Sequence, residues 1–402
     1  MNWFSIRYLL LGSALGLGGC VESYTPDVPA ATQNYLVVDG FINSQGSTVV
    51  KLSRTLGLAA TGSAPAEAKA TVYIQDNAGT HYPLTESPAG TYASAVQTLP
   101  PTRQYQLHII TSKGKEYLSD LVAVKTTPPI DNIEWRLEQD GVQLYVDAHD
   151  ASNNTRYYRW DYTETWEFTS AYNSSVEFKN IAGGPPAPAG AKYIVPRTEN
   201  IYNCWRTEIS TAIKQTSTTK LAQDVVTDFP LLFLPLPNER LGSKYSILVR
   251  QNAQSQAEYD YWEALRKNTE NIGTINDPLP SQLTGNVHSL SDATEPVLGY
   301  VSAHSVVEKR IFIDRGEFPQ GRLVYSDALN NACQLIEVPK DLSIPEVPTI
   351  IIDNALNVFR QPNILPIAIT FGSGNSVIYT ASTPECVDCR LRGTNVKPSF
   401  WP

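Results

Sequence analysis

The chain has 402 residues, enough for two or three domains with their own cores. Only 18% of its residues are charged, against about a quarter in an average globular protein, while Tyr (21), Phe (11) and Trp (7) are plentiful. The formal net charge is −9, and removing residues 1–19 takes away only Arg7, leaving −10; this argues against nucleic acid or anionic lipid as partners, since both need basic patches.

Residues 1–19 open on Trp3, Phe4 and Arg7, continue with an apolar run from Tyr8 to Leu17, and end in Gly18 and Gly19. This is the layout of a secretory signal peptide. Leu17-Gly-Gly-Cys20 has the form of a bacterial lipobox, which makes Cys20 the expected lipidation site. The alternative is an ordinary signal peptide that ends near a cysteine. The apolar run is too short to span a bilayer. Several acyl chains, at roughly 0.8 kcal/mol per buried methylene, would hold the protein on a membrane. Residues 20–34, with Pro26 and Pro29 and no periodicity, read as a flexible tether.

Many Tyr, Thr and Pro and few helix formers predict a mostly β protein. Strands are predicted at 35–42, 47–52, 70–75, 81–84, 90–93, 104–111 and 116–125, about ten residues apart with turn signals between them. This rhythm predicts an immunoglobulin-like β-sandwich over 35–127. Thr126-Thr-Pro-Pro129 ends it with a stiff joint. Residues 128–402 are expected to form a fibronectin type III-like β-domain with insertions and a cysteine-containing tail. It opens with a hairpin around Asp140-Gly141. A long aromatic strand, 157–168, follows. Residues 170–200 are expected to be mostly loop, 204–213 and 245–251 further strands, and 229–235 an apolar segment. Residues 255–271 form the one predicted helix, with Ser255 as N-cap, Glu258 completing a capping box, and Tyr259, Trp262 and Leu265 as a packing stripe. Strands are expected again at 297–302, 310–314, 333–338 and 364–371.

Lipidation of Cys20 leaves Cys204, Cys333, Cys386 and Cys389. An even remainder in an exported protein predicts two disulfides, with three pairings open. Cys386-Val-Asp-Cys389 also has the spacing of a redox or metal pair, but no second such pair exists and the five histidines are scattered. The expectation is that each of these two cysteines ties the tail to the body, because closing a long loop constrains the unfolded chain more.

Several segments together resemble one family: Tyr35–Gly40, Tyr202-Asn-Cys-Trp205, Tyr245–Gln251, Tyr259-x-Tyr-Trp262, Pro280–Asn286, Pro296–Tyr300 and Gly393–Trp401. The chain is similar to the Bacteroidota lipoproteins called domain of unknown function 4249, over nearly its whole mature length. Members of that family are typically encoded beside SusC-like TonB-dependent outer-membrane receptors. The resemblance therefore implies an outer-membrane location and an accessory role in uptake; of the two faces the cell-surface one is expected, although only Glu22 and Asp27 follow Cys20 where such lipoproteins often carry an acidic cluster. It brings no catalytic residues.

No HExxH, G-x-S-x-G, P-loop or dinucleotide fingerprint occurs. No cofactor, metal ligand or catalytic residue is therefore expected. Asp147, Asp150 and Asn153 could present oxygens to calcium, although a solvated loop is the plainer reading. The leading expectation is a non-catalytic binding or accessory subunit of a TonB-dependent nutrient-uptake receptor. The alternatives are a surface hydrolase of glycans or peptides, or an adhesin.

Overall fold

The computed structural model describes residues 34–57, 60, 62–178, 194–270, 285–319, 332–339, 359, 362–371 and 377–402. The signal-peptide segment, Cys20, nearly all of the tether, the centre of loop 170–200 and most of Pro280–Gly285 lie outside them.

The protein is mostly β. The first run of strands is β1 (Leu36–Asn43), β2 (Gln45–Gly46), β3 (Val49–Arg54), β4 (Thr71–Asp76), β5 (His81–Glu86), β6 (Thr91–Ser94), β7 (Gln97–Thr98), β8 (Gln104–Ile110), β9 (Glu116–Ser119) and β10 (Val122–Ala123). Their alternation is the one the sequence shows. In β4 every second residue is buried (Val72, Ile74 and Asp76), as the period of two requires. The second run is β11 (Ile130–Leu137), β12 (Gly141–His149), β13 (Tyr157–Thr169), β14 (Val176–Phe178), β15 (Ile194–Pro196), β16 (Asn203–Ile209), β17 (Lys214–Ser217), β18 (Val225–Pro235) and β19 (Lys244–Ala253). Then come α1 (Gln256–Glu270), β20 (Val287–Ser289), β21 (Ala303–His304), β22 (Val306–Asp314), β23 (Ile336–Pro339), β24 (Leu365–Phe371) and β25 (Val377–Ser382).

Two cores result. One sheet, ordered β20-β9-β8-β4-β5-β6-β3-β1-β21 with β10 on β8, curls around Leu36, Ile42, Val50, Ile74, Tyr92, Tyr105, Leu107, Tyr117 and Val301. The Asn286 side chain joins the ends of that sheet, donating to the Val301 carbonyl at 2.9 Å and accepting from the Val301 N–H at 2.8 Å. The second core lies between the sheet β11-β12-β18 and the sheet β16-β13-β19-β22 and holds Val142, Leu144, Tyr158, Trp160, Trp166, Leu231, Tyr245 and Ile247. Sequence order and spatial order part company after α1. Residues 287–304 return to the first sheet, with β21 parallel to β1 (Ile42 opposite Ala303), and β22 then resumes the second.

Gly299 permits this return. Its φ is 130°, and a Cβ there would collide with the Val38 carbonyl, so only glycine lets segment 298–300 lie against β1. Leu298 then bonds to that strand in both directions, its N–H to Leu36 O at 2.9 Å and its carbonyl from Val38 N at 2.8 Å.

The helix differs from its expectation in one detail. Ser255 Oγ accepts from the Glu258 N–H at 3.1 Å, as an N-cap should. Glu258 does not close the capping box; its carboxylate is turned into the joint between the two cores, where Ser302 Oγ donates to it at 3.0 Å. The tail is not free either. Thr394 pairs with Trp205 as an antiparallel bridge, and Trp401 is buried edge-on against Trp205 and Phe312.

Candidate functional site

The joint between the cores is built by hydrogen bonds rather than by the stiffness of Pro128 and Pro129 alone. Gln251 on β19 accepts from Trp160 Nε1 at 2.8 Å inside the second core and donates to the Pro128 carbonyl at 2.8 Å. Thr127 N–H donates to Ser305 Oγ at 2.9 Å, and Thr127 Oγ1 accepts from the Ala253 N–H at 3.0 Å.

Beside this joint lies a cleft of about 280 Å³ lined from both units: Asp39, Phe41 and Lys51 on β1 and β3, Arg159 and Asp161 on β13, Glu258 and Trp262 on α1, and Tyr300 and Ser302 before β21. Each side chain is placed by a local rule. Arg159 and Asp161 stand two apart on one strand and so share a face. Glu258 and Trp262 stand four apart on one helix and so share a side. The Arg159 guanidinium lies 4.2 Å above the Trp262 ring and bonds to Asp161 Oδ2 at 3.1 Å; Asn252 donates to the same oxygen at 2.8 Å.

Burial raises the Glu258 carboxyl above its usual range, against the opposing pull of the Arg159 charge and the Ser302 hydroxyl. The Trp262 indole and the Gln254 amide also sit near enough to favour its ionised form, yet neither closes a well-formed hydrogen bond. Glu258 Oε2, Arg159 Nε, Trp262 Nε1 and both amide atoms of Gln254 are buried without a partner. His304 is stacked on Phe41 at 4.2 Å. Burial and then the nearby Arg159 charge push His304 down to about 3, so it is neutral. Its Nδ1 faces the Ser305 carbonyl at 3.2 Å and must carry the proton, which leaves Nε2 as an unpartnered acceptor.

The segments that carry the family resemblance converge in two places. Tyr35–Gly40, Tyr259–Trp262 and Pro296–Tyr300 meet at the cleft. Tyr202–Trp205 and Gly393–Trp401 meet at the tail.

The four cysteines form Cys204–Cys389 and Cys333–Cys386. Cys386 and Cys389 thus bond to separate parts of the body, and their spacing is not that of a redox pair here. Among the described residues no group of three or more His, Cys, Asp or Glu is placed to hold a metal. The calcium reading of loop 147–153 is displaced by the loop's own bonds. Asp150 accepts from the N–H groups of Ser152, Asn154 and Thr155 at 2.9, 3.0 and 2.9 Å and from two hydroxyls. Asp147 Oδ1 and Asn153 Oδ1 accept from the N–H groups of Asp228 and Asp224. Asp161 and Glu164, three apart on β13, point to opposite faces and form no carboxylate pair.

The acid response of the fold follows from two such carboxylates. Burial pushes Asp76 up, but the N–H groups of Thr80 and Ala78 together with Arg103 outweigh it and bring the group to about 2. Asp150 also reaches about 2, because bonds from Ser152, Thr155 and Asn154 overcome its burial. A depressed carboxyl stabilises the fold above its unfolded value of 3.8, and that stabilisation is lost as pH falls through the folded value. The urea midpoint should therefore drop between pH 4 and pH 2. Asp76→Asn should start lower at pH 5 and fall less steeply; equal slopes for the two proteins would refute the assignment.

A family model described as "Domain of unknown function (DUF4249)" matches residues 21–310. No curated protein matches the chain. Among solved structures, the chain is similar to a two fibronectin type-III domain segment from chicken tenascin at 10% identity, covering 55% of this chain and 91% of that one, with a TM-score of 0.17. It is also similar to the Yersinia pseudotuberculosis adhesin InvE at 16% identity, covering 55% of each chain, with a TM-score of 0.14. A biofilm-associated protein BSP domain matches at 6% identity, over 87% of this chain and 76% of that one, with a TM-score of 0.15. The fold described above rests on its own sheets and registers.

Proposed function

The chain belongs to the DUF4249 family, and from that premise we propose that it is a non-catalytic binding lipoprotein, held on the outer membrane through Cys20 and serving a SusC-like TonB-dependent receptor as an accessory subunit. The observation that carries the binding role is the cleft at the joint, lined from both units, where Arg159 on β13 and Glu258 and Trp262 on α1 carry buried polar atoms without partners. Unpaired buried polar groups each cost about 1–3 kcal/mol, so a fold that keeps several together in one cleft keeps them for a ligand. Export is supported by the cysteines. The four other than Cys20 are paired with one another, as an oxidising compartment allows, and Cys20 is left as the odd one available for lipid.

One observation favours a glycan or peptide hydrolase as the second reading. The Glu258 carboxyl, raised by burial, shares the cleft with Asp39 and Asp161, and a raised carboxyl beside further carboxyls is an arrangement that acid catalysis can use. Asp161, however, is committed to Arg159 and Asn252.

The test is affinity purification of the tagged protein from membranes of its own host, with fatty-acid labelling. The expected result is a copurifying outer-membrane barrel and a labelled protein, with label and membrane association both lost in Cys20→Ala. Absence of any barrel from the intact protein would sink the partnership, and label retained by Cys20→Ala would sink the anchor.

A further inference from the structure

We propose that the free edge of β16, at Thr207 and Ile209, docks an extended segment of a partner protein, which adds to the sheet β16-β13-β19-β22 as a further strand. This rests on the partnership proposed above and names the surface that makes it. Backbone parity exposes the edge. β16 pairs with β13 without a register shift, Trp205 opposite Glu167, Thr207 opposite Thr165 and Ile209 opposite Thr163. Trp205 turns its own backbone groups away from β13: its N–H donates to the Thr394 carbonyl at 2.8 Å, and its carbonyl accepts from the Thr394 N–H at 2.9 Å. Successive residues of an edge strand alternate between the ladder and the outside, so Thr207 and Ile209 point their N–H and carbonyl groups the same way as Trp205. Among the described residues no backbone partner meets those four groups.

The tail shows what kind of chain fits this edge. Thr394 fills one rung of it as a strand would. An unbroken antiparallel pairing would set Arg392 opposite Thr207, but Arg392 turns its N–H back to the Cys389 carbonyl at 3.0 Å. The tail thus leaves β16 before Thr207, and a wedge of about 480 Å³ opens there, lined by Trp205, Arg206, Thr207 and residues 391–394. Beside the two open rungs Ile209 is 74% exposed, an aliphatic side chain that an added strand would cover. β18 is an edge as well, yet Pro230 and Pro235 interrupt it, whereas β16 carries no proline. A second copy fits poorly. Two-fold pairing centred on Thr207 would drive Ile209 of one copy into Thr394 of the other. Centred on Glu208, it would set that carboxylate against its own counterpart, and like charges directly opposite are destabilising. A strand from a different protein brings no such tail, and its residue opposite Glu208 is free to differ.

The experiment places the photo-crosslinker p-benzoylphenylalanine at Leu391, on the wall of the wedge and 58% exposed, in the full lipoprotein in its own host. Intact membranes are irradiated and the adduct is mapped by peptide sequencing. Thr207→Pro is the variant: the Thr207 N–H lies outside the ladder, so proline blocks an added strand while the pairing with β13 keeps its bonds. One protein segment should be captured, and Thr207→Pro should lower its yield tenfold or more at an unchanged thermal midpoint. Should Thr207→Pro lower the midpoint, Ile209→Lys decides by the same loss of yield, since it keeps every backbone group and sets a charge where the strand would lie. Three outcomes overturn the inference: no protein adduct forms, the adduct is with a second copy, or its yield is unchanged in both variants. The partnership is read separately by copurification. A barrel recovered equally with both variants refutes the edge and leaves the receptor reading standing. An adduct mapped to some other protein and lost in both variants keeps the edge and refutes the receptor reading.

Discussion

Arg240→Ala should destabilise the second unit by about 3–5 kcal/mol, the range for removing one member of a buried ion pair. Arg240 donates to both oxygens of Glu164, at 2.8 and 3.0 Å, and to Glu208 at 2.9 Å, while its guanidinium lies 5.0 Å from the Trp166 ring. Glu164 projects from the central strand β13 into buried surroundings, and its remaining partner is the Tyr245 hydroxyl at 2.7 Å. Without Arg240 the carboxylate stays buried with one neutral donor. The pH dependence distinguishes this cause from lost packing. Burial already raises the Glu164 carboxyl, and losing Arg240 raises it further. A raised carboxyl gives stability that is full below the unfolded value of 4.5 and is lost as pH rises through the folded one. The deficit of Arg240→Ala should accordingly shrink as pH falls toward 4, and Glu164→Gln in the same chain should restore part of it. Urea denaturation at several pH values is the measurement. A deficit that is flat with pH, or one below about 1 kcal/mol, would assign Arg240 to the surface class of ion pairs.

The strands of the first unit were legible because their alternation is local and their turns carry glycine and asparagine. Strand β18 was not. Phe229-Pro-Leu-Leu-Phe-Leu-Pro235 reads as an apolar segment broken by prolines, yet it pairs with β12 along most of its length. It can do so because it is the edge of its sheet, where a missing N–H faces no neighbour. Nor does anything local announce that residues 287–304 rejoin the first sheet, since a parallel pairing of Ile42 with Ala303 leaves no short-range signature. The cleft was hidden for the same reason. In the helix taken by itself, Glu258 reads as half of a capping box and Trp262 as part of a packing stripe. The available signal was in β13, where Arg159 and Asp161 interrupt an aromatic strand and, two residues apart, share one of its faces. The resemblance held the other half of the signal, since three of its segments supply walls of the cleft.

Removing the Cys204–Cys389 bridge should cost about 5 kcal/mol, the chain-entropy figure for a closed loop of this size, and more than removing Cys333–Cys386, for which the same relation gives about 4 kcal/mol. The separations are 185 and 53 residues. Location widens the gap. Cys204 and Cys389 belong to the main core of the second unit, whereas Cys386 packs with Ile201, Ile367 and Val387 in a small satellite cluster. The long bridge also fixes the tail. Cys389 N–H donates to the Ile201 carbonyl at 2.9 Å, and a few residues on, Thr394 pairs with Trp205 and brings Trp401 onto Trp205 and Phe312. In Cys204→Ser/Cys389→Ser the tail should lift, so Trp401, 7% exposed in the intact fold, should become accessible to a soluble quencher before the second core unfolds. In Cys333→Ser/Cys386→Ser it should stay protected until global unfolding. Peptide mapping without reductant should recover 204 linked to 389 and 333 linked to 386, and thiol counting in denaturant should find almost no free thiol in the lipidated protein. A linked 386–389 peptide would overturn the pairing. Equal quenching in the two double variants would show that the tail is held by its aromatic contacts and not by the bridge.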